Sequence, residues 1–442
     1  MESGSWKDVW YADRLIHLPI MASIVFGTFQ GYLKDRIAGG LPYALADGMF
    51  LLAVLAWLGT IAVRNAPLRG PGATVSIIVT IIVVPIVYFL FPGATLLVRM
   101  AGLRSWILFP MAALIAMSAI RTVGQVRAYI GLLMILCVIT ALYGIRQYFA
   151  GPEVLLDIGE LAQLRHGSTL RYVLGSGRLG FRAFSTFTFP GPFAAMMVFG
   201  ILLAAGTVTS KLEKPKTRWM YGFLIPLFFI GLTVSGTRAA LIILALGLVT
   251  LFWYRRLTLV QMLLVPFGII AVHLTTVFAA GQLLDRFRTL LVEEGLFWLY
   301  VSAPIKTALE YLAEHPFGIG LGRTGIGVPF AITQRMPTDY FVFTDGDVGR
   351  AAVEMGLLGL VIILLIVVVV VLYAPPALRT LRGSNADATA LGIGPLLIAS
   401  AVGISIGSPL SSIPHGLIWW FLFGALMKLA MMRSQELAAP DS

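Results

Sequence analysis

The sequence predicts an all-α, polytopic transmembrane helical bundle of about twelve spans, on the basis of its composition, hydropathy and periodicity. Of the 442 residues, 58% are hydrophobic and only 12% are charged, whereas soluble domains carry about 25% charged residues. Apolar stretches of about 17–25 residues, long enough to cross a bilayer, recur along the whole chain. Because no β-barrel alternation accompanies them, helices must satisfy the backbone hydrogen bonds inside the bilayer.

These apolar stretches give the order of the candidate spans, and most of the connections between them are short. An even number of spans puts both termini on one side of the membrane, and we expect residues 1–442 to form a single membrane domain. No small-residue cleavage site follows a short apolar core at the N-terminus, so no removed signal peptide is expected. The candidate spans are residues 15–33, 43–63, 75–92, 105–120, 128–148, 190–208, 219–236, 238–254, 260–279, 351–373, 388–407 and 416–432.

The net charge of +11 is carried by basic residues between the apolar spans. This distribution indicates membrane topology and anionic headgroups or substrates, and we expect no nucleic-acid partner. Compact basic connections, Lys211–Arg218 and Arg255–Arg256, fall on one face, which is predicted to be cytoplasmic. The single cysteine, Cys137, cannot form an internal disulfide, and no cluster of Cys and His residues indicates a metal site.

Two long connections lie on the opposite face, at residues 149–189 and 280–350, the second directly before the third-last span. Loops of this length among short connections usually carry function. In the second, apolar residues recur at helical spacing, which predicts an amphipathic helix at the membrane surface. These residues are Pro304, Ile305, Ala308, Leu309 and Leu312.

The outer face, which contains both long connections, is rich in arginine and poor in lysine. A guanidinium group presents a planar fork that fits two phosphate oxygens, so a diphosphate at the membrane surface is the expected ligand. Alternatively, these arginines pair with neighbouring acidic residues or with lipid headgroups. They are Arg146, Arg165, Arg171, Arg178, Arg182, Arg238, Arg286, Arg288, Arg323, Arg335 and Arg350.

Arg238 is distinctive because almost no loop separates the two predicted spans around it, in the sequence TVSGTRAALIILALGLV. A turn this tight puts the side chain at the edge of the bilayer near the start of a helix, where free backbone N–H groups attract anions. A snorkelling arginine at the end of a span is the alternative interpretation.

Two further segments contain candidate site residues. Glu314–Gly325, with the sequence EHPFGIGLGRTG, contains His315 and Arg323. Its glycines permit close approach of a ligand. Alternatively, its His-Pro pair only ends the amphipathic helix.

Asp345 and Asp347 precede an apolar span. Group transfer to a hydroxyl needs a base near the acceptor and cations near the departing group, which carboxylates beside arginines can provide. A solvated turn is the alternative for these two aspartates.

Three segments together resemble the O-antigen polymerase/ligase family, also called the Wzy/ligase group. FRAFSTFTFPGPFAAMM is similar to the family's Arg-then-Gly-Thr-Phe-x-x-Pro segment before a span, and SGTRAALI to its Ser-x-Ser/Thr-Arg-Gly/Ala turn. EHPFGIGLG resembles its His-Pro-hydrophobic-Gly-x-Gly run after the outer helix. The three motifs cover roughly residues 180–360 in the family's order.

The resemblance implies a metal-independent glycosyltransferase of the bacterial inner membrane that needs no cofactor and whose active site faces the periplasm. Its donor would be an undecaprenyl-diphosphate-linked glycan, its acceptor a glycan or a lipid, and membrane lipids would surround it. Arg182 and Arg238 would contact the diphosphate, with Arg286 or Arg288 assisting. The remaining candidates for substrate binding are His315, Arg323, Asp347 and Arg350.

The ligase branch of the family carries a His-Asn/Ser/Gln pair, nine residues and a Gly-x-x-Gly/Thr/Tyr run. Here Asp345-Gly346 stands at that spacing before Gly356-Leu357-Leu358-Gly359. Aspartate in the place of histidine favours a polymerase over a ligase. Asp345 then becomes the candidate base, and Arg238 is the second candidate catalytic residue.

The leading hypothesis is therefore a polymerase of lipid-linked repeat units for O-antigen, capsule or exopolysaccharide. A ligase that moves glycan onto lipid A-core or onto a protein is the alternative enzyme. A transporter or flippase also suits the number of spans. Coupled transporters usually carry ionisable groups in mid-membrane, and here mainly Asp47 and His273 stand inside predicted spans.

Overall fold

The structure, a computed structural model, is a polytopic all-α bundle, as predicted. In the described part of the chain, ten helices are long and apolar enough to cross a membrane, or eleven if a bent helix pair near the N-terminus is one span. The chain is therefore a multi-pass membrane protein. The described residues are 6–37, 41–64, 71–91, 93–155, 171–173, 179–255, 296–325, 328, 336–342, 344, 346–407, 410 and 412–438.

The described helices and strands are labelled in chain order, short 3-10 turns apart. They are α1 (Trp6–Thr28), α2 (Gln30–Arg36), α3 (Leu41–Arg64), α4 (Gly72–Phe89), α5 (Leu96–Ala119), α6 (Val123–Ala150), β1 (Arg171–Val173), β2 (Leu179–Phe181), α7 (Pro190–Thr209), α8 (Pro215–Val234), α9 (Arg238–Arg255), α10 (Leu296–Glu314), α11 (Gly346–Leu381), α12 (Asp387–Val402) and α13 (His415–Ala438).

Each predicted span overlaps one of these helices, apart from 260–279, which lies outside the described residues; α5 begins at Leu96, nine residues before the predicted 105. The first predicted span, 15–33, corresponds to α1 and α2 together, which meet at a bend of 58°. The largest difference in length concerns α11, which begins before the predicted 351–373 and continues beyond it. This helix also contains a break at Gly356, where φ is 60° and ψ is −136°.

The long connections contain short regular elements. Within 149–189, β1 and β2 pair antiparallel, with Arg171 opposite Phe181. Within 280–350, α10 packs against α11. Of the residues predicted for an amphipathic stripe, Pro304 and Ala308 are buried, whereas Ile305 and Leu309 are exposed.

Two ion pairs lie at one end of the bundle, one between α6 and the connection from α7 to α8 and one between α9 and α12. Arg127 at the start of α6 bonds to Glu213 (Nη2–Oε1 2.9 Å), and Arg255 at the end of α9 bonds to Asp387 at the start of α12 (Nη2–Oδ2 2.7 Å). We call this the Arg255 end. The opposite, Arg238 end contains the starts of α9, α11 and α13, in agreement with the predicted alternation of spans.

Helices α7, α12 and α13 form the centre of the bundle, with most of their surface buried. The largest fully buried side chains include Trp419 and Trp420 of α13. Helices α3, α4, α8 and α9 surround this centre and expose apolar side chains such as Trp219 and Phe223. Exposed apolar surface of this kind is expected where helices face lipid.

Candidate active site at the Arg238 end

Residues 182–189, between β2 and α7, form non-helical chain inside the bundle, held by the last turns of α6. The side-chain oxygen of Gln147 accepts hydrogen bonds from the N–H groups of Ser185 (2.6 Å) and Phe184 (3.3 Å), and its Nε2 donates to the Ser185 carbonyl (3.0 Å). Ser185 adopts a left-handed φ of 55°, and its hydroxyl donates to the carbonyl of Thr140 (2.6 Å). Irregular backbone at this depth needs such internal partners, because lipid offers none.

The bend between α1 and α2 accommodates the same segment. The Thr186 hydroxyl donates to the carbonyl of Thr28 (2.7 Å), and the Thr186 carbonyl accepts from the N–H of Tyr32 (2.9 Å). A Cβ at Gly31 would overlap the backbone of Phe187, so the close approach requires glycine. The FRAFSTF sequence is therefore fixed on two sides, by α6 and by the α1–α2 bend.

Arg182 begins this fixed segment and lies over the turn between α8 and α9. Its Nε donates to the carbonyl of Ser235 (3.2 Å), and its Nη2 donates to the hydroxyl of Thr237 (3.2 Å). The side chain remains half-buried rather than enclosed. Arg182 is thus held beside the SGTR turn, forty or more residues away in sequence.

Arg238 is the first residue of α9 and follows directly after that turn. It is also half-buried. The structure therefore brings two of the predicted site residues, Arg182 and Arg238, to the same helix N-terminus. The first N–H groups of a helix have no intrahelical acceptor and carry a partial positive charge, which adds to the attraction for an anion. Two guanidinium groups beside such a terminus are suited to hold a phosphate or diphosphate.

The glycine-rich loop after α10, residues 315–325, fills the break in α11. The N–H of Ile319 donates to the carbonyl of Val353 (2.8 Å), and the N–H of Leu357 donates to the carbonyl of Pro316 (2.9 Å). A helix break leaves backbone groups without intrahelical partners, and the loop supplies those partners here.

Close contacts with α5 explain the glycines of this loop. A Cβ at Gly102 of α5 would overlap the backbone of Gly322, and a Cβ at Gly93, just before α5, would overlap the carbonyl of Ile319 and approach Gly320. Both Gly320 and Gly322 have positive φ, at 113° and 80°. The sequence left two interpretations of the EHPFGIGLG run, close approach of a ligand or the end of the amphipathic helix. The described contacts of these glycines are with protein backbone.

His315 and Arg323 lie at the two ends of this loop. His315 is exposed directly after α10. The Arg323 guanidinium stacks on Tyr340, with its carbon 4.2 Å from the ring centroid, and the side chain is half-buried. Its Nε has no hydrogen-bond partner among the described residues. This stacking holds the guanidinium plane in a defined orientation at the Arg238 end.

Arg350 and Asp347, both candidates for substrate binding, are more enclosed than the sequence indicated. Both are 1% exposed. Arg350 forms an ion pair with Glu354 (Nε–Oε1 3.2 Å), and Asp347 accepts from the N–H of Leu410 (Oδ2, 2.9 Å). The reason is that α11 starts earlier than predicted, so both residues lie in its packed first turns. Burial excludes the alternative of a solvated turn at Asp347, and the role of both residues in substrate binding stays a prediction.

The candidate base Asp345, together with Arg286 and Arg288, lies outside the described residues. The neighbour of Asp345, Gly346, packs closely on the carbonyl of Ser405. Gly403, in the same short turn, packs on the side chain of Ile243 in α9. The start of α11 and the first turns of α9 therefore share one contact surface at the end of α12.

Several polar residues of this region were not singled out from the sequence. Gln147 and Glu354 stand in apolar stretches, where a polar residue needs a buried partner and so is a candidate for a structural or functional role. Arg104 forms a half-buried ion pair with Asp47 between α5 and α3. No group of three or more His, Cys, Asp and Glu side chains that could hold a metal ion occurs in the described part of the chain.

No family model and no curated protein matches this chain. A solved structure with some similarity is a chain of a peptidoglycan synthase complex, described as coordinating polymerization and crosslinking. The two chains share 15% sequence identity and a TM-score of 0.44, over 84% of this chain and 99% of that chain. Similarity at this level carries no conclusion about the activity of the present protein.

Proposed function

We propose that this chain is a membrane glycosyltransferase that polymerises undecaprenyl-diphosphate-linked repeat units of a surface polysaccharide, such as O-antigen, capsule or exopolysaccharide. The observation that carries the proposal is the placement of Arg182 and Arg238 beside the start of α9. Both side chains are half-buried at one end of a membrane bundle, where the diphosphate of a lipid carrier would lie. The motifs that contain them are the ones that resemble the O-antigen polymerase/ligase family.

In this proposal the acceptor hydroxyl attacks the anomeric carbon of the donor glycan. The bond between that carbon and the diphosphate oxygen breaks, and its electron pair leaves with the lipid diphosphate. Arg182 and Arg238 stabilise the negative charge that develops on the leaving group. The acceptor proton goes to a carboxylate, for which Asp345 is our candidate because it stands at the family's spacing before Gly356. Neither a metal nor a cofactor is required for this step.

We further propose that the Arg238 end faces the periplasm of a bacterial inner membrane. The compact lysine-containing connection Lys211–Arg218 lies at the Arg255 end, where the positive-inside rule expects the cytoplasm. A lipid-linked glycan in the outer leaflet would then reach the two arginines from the bilayer, and the growing polysaccharide would extend into the periplasm.

A transporter or flippase is a second candidate, favoured by one observation. Ionisable residues inside spans are more numerous than the sequence indicated, since Arg104 pairs with Asp47 and Arg350 pairs with Glu354. Paired charges at this depth occur in transporters as well as in structural networks. Lipid movement must therefore be measured beside glycosyl transfer.

The test uses the purified full-length protein in proteoliposomes with an undecaprenyl-diphosphate-linked oligosaccharide repeat unit. A polymerase converts this single substrate into a ladder of products that differ by one repeat. One discrete conjugate, formed only when lipid A-core or an acceptor protein is added, would identify a ligase instead. No product with either acceptor, together with scrambling of a fluorescent lipid in the same vesicles, would overturn the enzyme in favour of the transporter.

A further inference from the structure

Glu354, at the Arg238 end, is 0% exposed and is the most buried charged side chain in the described part of the chain. Its Oε1 accepts hydrogen bonds from the Thr324 hydroxyl (2.7 Å) and from Arg350 Nε (3.2 Å). Its Oε2 accepts from the indole N–H of Trp106 (2.8 Å). Removing a carboxylate of this kind from water is unfavourable unless its oxygens are satisfied, and these three donors satisfy both of them.

Arg350 connects the carboxylate to a second element. Its Nη2 donates to the Ser105 hydroxyl (2.6 Å) and to the carbonyl of Gly102 (3.3 Å), both in α5. Its guanidinium carbon also lies 4.8 Å from the centroid of the Trp106 ring. The Arg350–Glu354 ion pair in α11 therefore contacts both α5 and, through Thr324, the loop 315–325.

The loop buries one large apolar side chain, Leu321, whereas Phe317 is exposed, so polar contacts must supply much of its attachment. Its glycines pass against α5 and its backbone fills the break in α11, but backbone hydrogen bonds alone allow local opening. Thr324 connects the loop by its side chain to a fully buried acceptor, one residue after Arg323. Whatever fixes Thr324 therefore also fixes the stacked guanidinium of Arg323 over Tyr340.

We propose that Glu354 and Arg350 are positioning residues, which hold the loop 315–325 against α5 and α11 and thereby orient Arg323 at the Arg238 end. Arg350 acts through Glu354 and Thr324 rather than by contact with a substrate. The consequence for catalysis rests on the proposed function, whereas the ordering of the loop does not. The first experiment below is independent of any enzymatic activity.

The first experiment measures how fast maleimide labels a cysteine placed in the loop. Leu321→Cys is the reporter because Leu321 is 1% exposed, and Phe317→Cys, at a residue 73% exposed, calibrates full labelling. The native Cys137 is buried and reports global unfolding in the same molecule. Thr324→Val removes the hydroxyl that bonds to Glu354, and Thr324→Ser retains it. Glu354→Gln removes the charge, and Asp387→Asn breaks the Arg255–Asp387 pair at the opposite end as the matched control.

With Thr324→Val or Glu354→Gln we expect labelling of the reporter to rise about tenfold, the change that a loss of about 1.4 kcal/mol in local stability produces, while Cys137 stays unlabelled. Thr324→Ser and Asp387→Asn leave the reporter rate within about twofold of the parent. An unchanged rate in both Thr324→Val and Glu354→Gln would overturn the proposal. Equal rises at the reporter and at Cys137 would also overturn it, since the pair would then stabilise only the whole fold.

The second experiment separates positioning from substrate binding in the ladder assay. Thr324→Val is expected to lower kcat about tenfold with the KM for the lipid-linked donor unchanged, and Thr324→Ser is expected to restore kcat. A raised KM with unchanged kcat would contradict a positioning role. If the parent protein forms no ladder while the labelling follows the expected pattern, the proposed function fails and the ordering of the loop by Glu354 stands.

Discussion

Arg182 and Arg350 occupy opposite settings at the same end of the bundle. Arg182 is half-buried and donates to neutral oxygens of Ser235 and Thr237, beside a helix N-terminus. Arg350 is 1% exposed and forms an ion pair with Glu354. Both were expected from the sequence to bind substrate. The local environment, rather than the residue type, therefore decides whether a guanidinium group is accessible to bind an anion.

The same contrast separates the two segments that carry these arginines. Residues 182–189 are held by neutral groups, chiefly the Gln147 amide, so their only fixed charge is Arg182. The loop 315–325 is held through the buried pair of Arg350 and Glu354. The first segment begins with a half-buried arginine, and the second is anchored to a fully buried ion pair.

The largest expected effect is a loss of unfolding free energy when the buried Arg350 is replaced. Arg350→Met leaves Glu354 as an unpaired charge inside the bundle and is expected to cost about 3–5 kcal/mol of unfolding free energy. Arg182→Met removes the hydrogen bonds to Ser235 and Thr237 at a half-buried position and is expected to cost about 1–2 kcal/mol. Thermal unfolding of both variants in the same detergent measures the difference. Equal losses would contradict the contrast between the two sites.

The second effect is a loss of glycosyl-transfer activity when Arg238, beside Arg182, is replaced. Arg238→Met is expected to lower the rate of ladder formation by about 10²–10³-fold, because it removes a cation that stabilises the departing diphosphate. Arg238→Lys keeps the charge but loses the planar fork, so an intermediate rate is expected. The melting temperature of both variants should stay close to that of the parent. A full rate in Arg238→Met would remove the diphosphate role of this residue.

The spans could be predicted from the sequence, and the interlocking of the loop with α11 could not. Long apolar runs specify membrane helices locally, so α3 to α9 follow the hydropathy closely. The break at Gly356 depends on hydrogen bonds with Pro316 and Ile319, forty or so residues earlier, and no local pattern reports such partners.

The same reasoning explains which site residues were placed correctly. Arg238 follows from a tight turn between two apolar runs, which fixes its position at a helix start. Arg350 precedes the apolar run 351–373 and was therefore expected to be accessible, but α11 starts at Gly346, so Arg350 lies in its buried first turns. Only the presence of a charged residue within a predicted span pointed to Glu354. Its partners Thr324 and Trp106 could not be predicted because they lie in other elements.

A third effect tests the break in α11. Gly356→Ala forces a side chain into a left-handed conformation and places its Cβ against the carbonyl oxygen of Pro316, so a loss of about 1–3 kcal/mol is expected. Gly48→Ala, in α3 with open space around it, serves as the control and is expected to stabilise by about 0.5–1 kcal/mol. Opposite signs in the two melting temperatures support the interlocked geometry, and a neutral Gly356→Ala would argue against it.

The smallest effect concerns an ion pair outside both regions. Lys306 and Glu310 pair on the exposed face of α10, with 78% and 63% of their side chains exposed. Solvent screens such pairs, so Lys306→Ala is expected to change the unfolding free energy by less than about 0.5 kcal/mol. It provides a baseline for the loss at Arg350. A loss of the same size at both positions would show that burial does not set the strength of these pairs.

The most direct test of the central claim is the binding of a lipid diphosphate to the arginines beside α9. Native mass spectrometry of the detergent-solubilised protein can compare undecaprenyl diphosphate with undecaprenyl monophosphate. We expect preferential binding of the diphosphate, lost in the Arg182→Met/Arg238→Met double variant and retained in Lys306→Ala. Equal binding of both lipids, or diphosphate binding that survives the double variant, would contradict it.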